Sequence, residues 1–325
     1  MKGRIEQEDR ARHEMAKRLN ELPDIFSAFY DWMDARERSY TTMKNYINHV
    51  VEFKHFCDKR NKDEFYENVT DNTIEKYMTS IRRRKINGEC IEVGDDIRAA
   101  KWSSLNTFFK FLSQKKYIDS NPMLLTERPR VKTQHTITYM TPDEIESVFQ
   151  RIVTDARPMI KNRDFCIMAM GLGTGLRVSA IVNINVEDID FLTNSIKVVE
   201  KGRKTRDIKF ADNLRNLLLI WLKDRELLFG GEPTGALFLS QKKTRMSVDS
   251  VEHLVKKYTD HLPKKITPHK LRSSVAMNLH GAGVDILTIA SVLGHDNVTT
   301  TQRYTKAYDE DKKAATNILD NLITG

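Results

Sequence analysis

Apolar residues recur at helical spacing through the first part of the chain. Phe26, Phe29 and Trp32 form one stripe, Tyr46, Val50, Phe53 and Phe56 a second, and Leu105, Phe108, Phe109 and Leu112 a third. The pattern predicts an all-helical first domain over 23–122, preceded by a charged N-terminal extension over 1–22. Helix ends are signalled by Ser39 with Thr41 or Thr42, by Thr70, and by Asn121-Pro122. Periodicity then lapses in SNPMLLTERPRVKTQHTITYMT, so 123–140 reads as a linker. Thr141-Pro142-Asp143-Glu144 opens a second domain over 141–325.

The second domain begins helical. Ile196 and Val198 then alternate with polar neighbours, a KGRK turn follows, and Ile208 and Phe210 resume the apolar pattern. This predicts a β-hairpin, with helices over 213–229, 248–262, 268–282 and 286–293 after it. The fold class is therefore mainly α, with a small β-hairpin or sheet in the second domain.

Composition narrows the partner class. Fifty-three Lys and Arg against 45 Asp and Glu give a net charge of +8 and a pI near 9.2, which favours a polyanion such as nucleic acid. Cys57, Cys90 and Cys166 are too few and too scattered for a disulfide framework or a CxxC ligand pair, and read as thiols of a reducing compartment. The N-terminus has no apolar signal region and no stretch approaches a membrane span, so a cytoplasmic protein is expected. No HExxH, EF-hand spacing, GxGxxG or GK[ST] is present, so neither a catalytic metal nor a nucleotide cofactor is expected.

Four segments carry chemistry. GLGTGLRVSAI sets Arg177 directly after a glycine-rich turn at a helix start. In ITPHKLR, Thr267 suits an N-cap and Pro268 the first helical position. His269 and Arg272, three apart, then share one face near a helix N-terminus, where backbone N–H groups and the dipole favour phosphate. An arginine fork matches phosphate oxygens. VLGHDNVTTTQRYT ends a helix at Gly294, presents His295, and returns Tyr304 from a polar run that places this tyrosine outside the core, with Tyr308 as a nearby competitor. Lys201 sits at the hairpin tip. Taken singly, each residue has a plainer reading: a solvated arginine, two unrelated basic residues on a surface helix, a packing tyrosine, one lysine among many. Together they supply two phosphate clamps, proton carriers and a nucleophile whose phenol needs neighbouring charge for activation.

TGLRVS, the hairpin KG, HKLR, LGH and the following tyrosine resemble, in order, the tyrosine recombinase or phage integrase family, in particular its simple Xer-like or mobile-element members without an arm-binding domain. Separations of 24 residues from Arg177 to Lys201, 3 from His269 to Arg272, 23 to His295 and 9 to Tyr304 agree with insertion-free members. The resemblance spans about residues 25–310. It implies a site-specific recombinase in which Tyr304 attacks a scissile phosphate to form a 3′-phosphotyrosyl link. Arg177 and Arg272 would stabilise the phosphorane, Lys201 would protonate the 5′-oxygen, His269 would accept the tyrosine proton, and His295 would bond a non-bridging oxygen. It further implies a C-shaped two-domain clamp on duplex DNA with short inverted core sites, a Holliday-junction pathway, and a homotetramer joined by exchange of the C-terminal helix around Ala314, Ile318, Leu319 and Ile323. A nucleoid-associated location follows from that role.

Lys44, Arg98 and Lys101 of the first domain and Lys204 and Arg245 of the second are candidate DNA contacts, each of which also reads as an ordinary solvated charge. One departure from the family stands out: the position three after Arg177, usually acidic, is Ala180. A type IB topoisomerase-like relaxing enzyme, and a DNA-binding protein with weakened catalysis, remain open alternatives.

Overall fold

A computed structural model describes residues 12–60, 65–86, 89–131, 137–199, 205–230, 235–294, 301–302 and 304–305. The chain divides between residues 133 and 134 into two compact units.

In the first unit, residues 12–19 form helix α1. It is followed by α2 (Asp24–Asp34), α3 (Tyr40–Arg60), α4 (Asp71–Ser80), strands β1 (Arg83–Ile86) and β2 (Glu89–Glu92), and α5 (Asp95–Gln114). Helical periodicity explains the core. Ile25, Phe26, Phe29 and Met33 of α2 are buried, as are Leu105, Phe108, Phe109 and Leu112 of α5. Phe29 meets Phe108 edge-on at 5.1 Å and Phe111 at 5.3 Å between ring centroids, geometries that suit the ring quadrupoles.

Two features differ from the sequence reading. Residues 12–19, read as part of a charged extension, are helical, and Met15 and Leu19 lie inside the first core. Two apolar side chains one turn apart suffice to dock a helix whose other faces are charged. The unit is also not all-helical: β1 pairs with β2 antiparallel, with Arg83 opposite Glu92 and Ile86 opposite Glu89. Asn87-Gly88 between them is a strong hairpin signal. It was masked because β2 is exposed along its length and so lacks the alternation of a half-buried strand.

The second unit contains α6 (Pro142–Asp155), α7 (Lys161–Thr174), α8 (Val178–Asn183), β3 (Ile189–Asp190), β4 (Ser195–Val199), β5 (Thr205–Lys209), α9 (Asp212–Phe229), α10 (Val248–Thr259), α11 (Pro268–Gly281) and α12 (Ile286–Leu293). At the start of α6, the Thr141 hydroxyl accepts from the Glu144 N–H (3.3 Å) while the Glu144 carboxylate accepts from the Thr141 N–H (2.8 Å). This is the reciprocal cap that its sequence predicts.

The sheet has order β3-β4-β5, all antiparallel. Ile196 faces Ile208 and Val198 faces Arg206. Ile196, Val198 and Ile208 belong to the main core, so alternation turns this face of the hairpin inward. At the base of α7, buried Asp164 accepts from Arg163 Nη2 (2.7 Å) and from the Tyr258 hydroxyl (2.8 Å), and Arg163 Nη1 donates to the Leu239 carbonyl (2.9 Å). Burial, and next the Asp164 carboxylate, hold the Tyr258 phenol well above its ordinary pKa. The network joins α7 to α10 with its buried charge compensated.

Leu19→Ala is expected to lower the stability of the first unit by about 2–3 kcal/mol, measured by chemical denaturation. A loss near zero would mean that residues 12–19 do not contribute to the core.

Candidate functional site

The first motif is built on a backbone turn. Helix α7 ends at Gly175, whose φ of +63° is left-handed and whose N–H donates to the Gly171 carbonyl. A Cβ at Gly175 would also lie 2.7 Å from Leu293 Cδ2, so both conformation and close approach require glycine. The chain buries Leu176 and exposes Arg177 at the residue that precedes α8.

In the second motif, Thr267 occupies the capping position of α11 and Pro268 its first turn, but the threonine side chain makes no capping hydrogen bond. His269 is exposed, whereas Arg272 is only 2% accessible. Arg272 Nη1 donates to the Gly175 carbonyl at 2.7 Å, and its Nη2 to the Leu293 carbonyl at 2.5 Å. One guanidinium therefore joins three motifs: the turn before Arg177, the helix carrying His269, and the end of α12.

Helix α12 is capped at both ends. The Asp285 carboxylate accepts from the N–H groups of Leu287 and Thr288, both at 2.9 Å. The Thr288 hydroxyl, and next the Thr288 N–H, hold that carboxyl below its usual pKa. At the other end Gly294 is left-handed, with φ +65° and its N–H on the Ser291 carbonyl at 3.0 Å. Arg206 of β5 lies against Gly294 where a Cβ would stand and donates from Nη1 to the Ser291 carbonyl at 2.6 Å.

Tyr304 corrects the sequence expectation. It is wholly buried, in a cluster with Ala276 and Met277 of α11 and Ile289 and Leu293 of α12. The polar run before it misleads because the ring packs on α11 and α12, which are distant in sequence. Leu293 serves both arrangements, its side chain against the tyrosine cluster and its carbonyl on Arg272. The structure thus brings Arg272, the turn before Arg177, the helix of His269 and the packing surface of Tyr304 into one region. Lys201, Lys204 and His295 lie outside the described residues. Among the described residues no group of three or more His, Cys, Asp or Glu is placed to hold a metal ion.

Residues 138–311, more than half of the chain, match the Phage integrase family. The chain belongs to that family. A tyrosine recombinase XerC from Caldanaerobacter subterraneus subsp. tengcongensis is 32% identical over 318 residues, covering 91% of this chain and 86% of the relative. The XerC of Bacillus subtilis is 29% identical, over 90% and 94% of the two chains. Among solved structures, the XerH site-specific recombinase bound to a palindromic difH substrate superposes with a TM-score of 0.68 at 17% identity, over 88% of this chain and 82% of that one. A lambda integrase dimer bound to a COC′ core site gives 0.64 at 17%, over 87% and 94%. These last two likenesses concern the fold.

Within this phage integrase fold the candidate DNA contacts separate by environment. Lys44 is exposed on α3. Arg98 pairs with Asp95 at 2.9 Å, and Lys101 pairs with Glu52; their side chains are 16% and 14% accessible. Arg245 donates from Nη1 to the Val182 carbonyl (2.9 Å) and from Nη2 to Asn185 Oδ1 (2.5 Å), closing the C-terminal end of α8. Ala180 is half-buried and packs on the main core. Arg206 is the residue that sequence reading missed. Its signal was an arginine at an inward position of a strand, sharing a face with Ile208.

Gly294 and Gly235 both have φ +65°, but a Cβ at Gly235 would meet nothing within 4 Å. Gly235→Ala is expected to lose about 1 kcal/mol, the usual left-handed penalty, and Gly294→Ala at least twice that by thermal unfolding. Equal losses would show that Arg206 exerts no constraint there.

Proposed function

We propose that this phage integrase family member is a site-specific DNA recombinase that cuts and rejoins duplex DNA through a 3′-phosphotyrosyl intermediate. The Tyr304 oxygen attacks the scissile phosphorus while the bond to the 5′-oxygen breaks. His269 accepts the tyrosine proton and Lys201 protonates the departing 5′-oxygen. Arg177 and Arg272 stabilise the phosphorane, and His295 bonds a non-bridging oxygen. The 5′-hydroxyl of a partner strand then attacks the phosphotyrosyl link and releases the tyrosine. Bond energy is conserved, so ATP is not needed, and strands exchange through a Holliday junction. The observation that carries this reading is the bonding of Arg272 to both the Gly175 and Leu293 carbonyls, which gathers motifs far apart in sequence. Tyr304 is wholly buried and Arg272 is 2% accessible with both terminal nitrogens on backbone carbonyls, so attack and phosphate contact require both groups to be uncovered when DNA binds.

The substrate proposed is double-stranded DNA with short inverted core sites. Among neighbours of this fold, XerH was solved bound to a palindromic difH substrate and lambda integrase bound to a COC′ core site, which supports this reading. The net charge of +8 favours the same partner. On this reading exposed Lys44 is a phosphate contact.

Assembly into a homotetramer belongs to the same proposal. An apolar groove of about 810 Å³ opens in the second unit, lined by Ile145, Phe149, Val153, Phe165, Leu172 and Leu279 among others. It suits the apolar positions Ala314, Ile318, Leu319 and Ile323 near the C-terminus of a neighbouring copy. Val153 is 50% exposed, so Val153→Asp leaves the core intact. It is expected to reduce assembly on DNA carrying two sites at least tenfold while single-site binding persists, as read by sedimentation. Undiminished assembly would remove the groove from the interface.

The cleavage chemistry is tested with a nicked suicide substrate. Wild-type protein is expected to form a covalent DNA adduct, and Tyr304→Phe none. An adduct that survives in Tyr304→Phe defeats the assignment. Lys201→Ala is expected to slow cleavage of an ordinary 5′-oxygen substrate by about 100-fold or more, with recovery on a 5′-thiol leaving group that needs little acid help.

A further inference from the structure

Arg206 takes no part in the chemistry proposed above, yet its placement is specific. It is the second residue of β5 and stands opposite Val198 of β4. Alternation puts it on the inward face with Ile208, where an apolar residue is the ordinary choice. Its guanidinium donates to the Ser291 carbonyl at 2.6 Å and reaches the Val292 carbonyl at 3.5 Å. Both carbonyls belong to the last turn of α12, beyond the helix's regular i+4 bonding, and Ser291 also accepts from the Gly294 N–H. A cation there also meets the negative end of the helix dipole. Gly294 admits it, since any side chain at that position would collide with the guanidinium.

From this geometry we infer that Arg206 is a positioning residue for strand cleavage, fixing the β4–β5 hairpin to the carboxyl end of α12. The inference rests on the reading of Lys201 as general acid. Lys201 lies in sequence between the two strands, and Arg206 is five residues beyond it. A hairpin tied at this point to the helix that packs Tyr304 holds the proton donor in register with the nucleophile's support. Loss of the tie lowers the fraction of complexes with a proton donor in place, while DNA binding and the phosphate clamp persist. A direct phosphate contact by Arg206 predicts the opposite pattern, weaker binding and slower cleavage whatever the leaving group.

The test compares wild type, Arg206→Ala and Arg206→Lys in single-turnover cleavage of suicide substrates with a 5′-oxygen or a 5′-thiol leaving group, with DNA affinity measured in parallel. Arg206→Ala is expected to slow cleavage of the oxygen substrate about 10- to 100-fold, at the lower end of what a positioned proton donor contributes. The thiol substrate should be cleaved within about twofold of wild type, affinity should be unchanged, and Arg206→Lys should recover part of the loss. Equal slowing on both substrates, a fall in affinity, or no slowing overturns the inference. If Arg206→Ala does not fold, Arg206→Lys carries the same comparison, expected to be slower than wild type on the oxygen substrate alone. Failure of wild-type protein to form any adduct would count against the recombinase reading itself, a result distinct from every outcome above.

Discussion

The carboxyl end of α12 is the point on which the site depends. A helix ends with carbonyls that have no partner inside it, and burying them unpaired is unfavourable. Here the Ser291 carbonyl accepts from the Gly294 N–H and from Arg206, and the Leu293 carbonyl accepts from Arg272. The two arginines arrive from a strand and from another helix, so satisfying one short helix end also fixes how three parts of the second unit meet. Arg272 is almost wholly buried, and a buried cation is tolerated only when hydrogen-bonded. Its carbonyl partners and the helix dipole meet that condition. Asp285 compensates the opposite end, so an eight-residue helix is held at both termini.

This arrangement divides the basic residues by burial. Arg272 is enclosed and directed at backbone oxygens, whereas Arg177 and His269 are exposed where α8 and α11 begin. In α11 the first-turn N–H groups accompany His269, which suits an anionic ligand. The exposed groups take their orientation from the enclosed one. Arg272 bonds the carbonyl of Gly175, two residues before Arg177, and lies one helical turn after His269. Sites that require fixed charge at a developing anion use this kind of support beneath the reacting groups.

Much of this was legible in the sequence because it follows from local rules. Helical periodicity located the helices of both units, the alternation of Ile196 and Val198 located the hairpin, and Thr141 with Glu144 marked the cap of α6. The turn before Arg177 and the start of α11 were also local, since Gly175 permits a left-handed angle and Pro268 fixes its own φ. What escaped depends on distant partners. Met15 and Leu19 are apolar residues in a charged stretch, and only the packed unit shows that they are buried. Tyr304 sits among threonines, but its surroundings come from α11 and α12. Arg206 shares a strand face with Ile208, but neither it nor Arg245 reveals its partner until the carbonyls they serve are placed beside them. Composition signals charge and spacing signals the element, but neither signals which helix end a guanidinium will reach.

The same bonds bear on Ala180. Family resemblance places a carboxylate there, and a carboxylate would orient neighbours by charge. In this chain that position carries a methyl group on the main core, and α8 is held by other means. Its N-terminal side follows the turn fixed by Arg272, and Arg245 closes its C-terminal side on the Val182 carbonyl and the Asn185 amide oxygen. Guanidinium bonds to neutral oxygens contribute to the orientation on both sides of α8. Backbone carbonyls do not titrate and guanidinium stays charged across the accessible pH range. These particular bonds do not depend on an ionised carboxylate and are vulnerable instead to any substitution that shortens Arg206, Arg245 or Arg272, whereas the Asp285 cap of α12 does depend on ionisation.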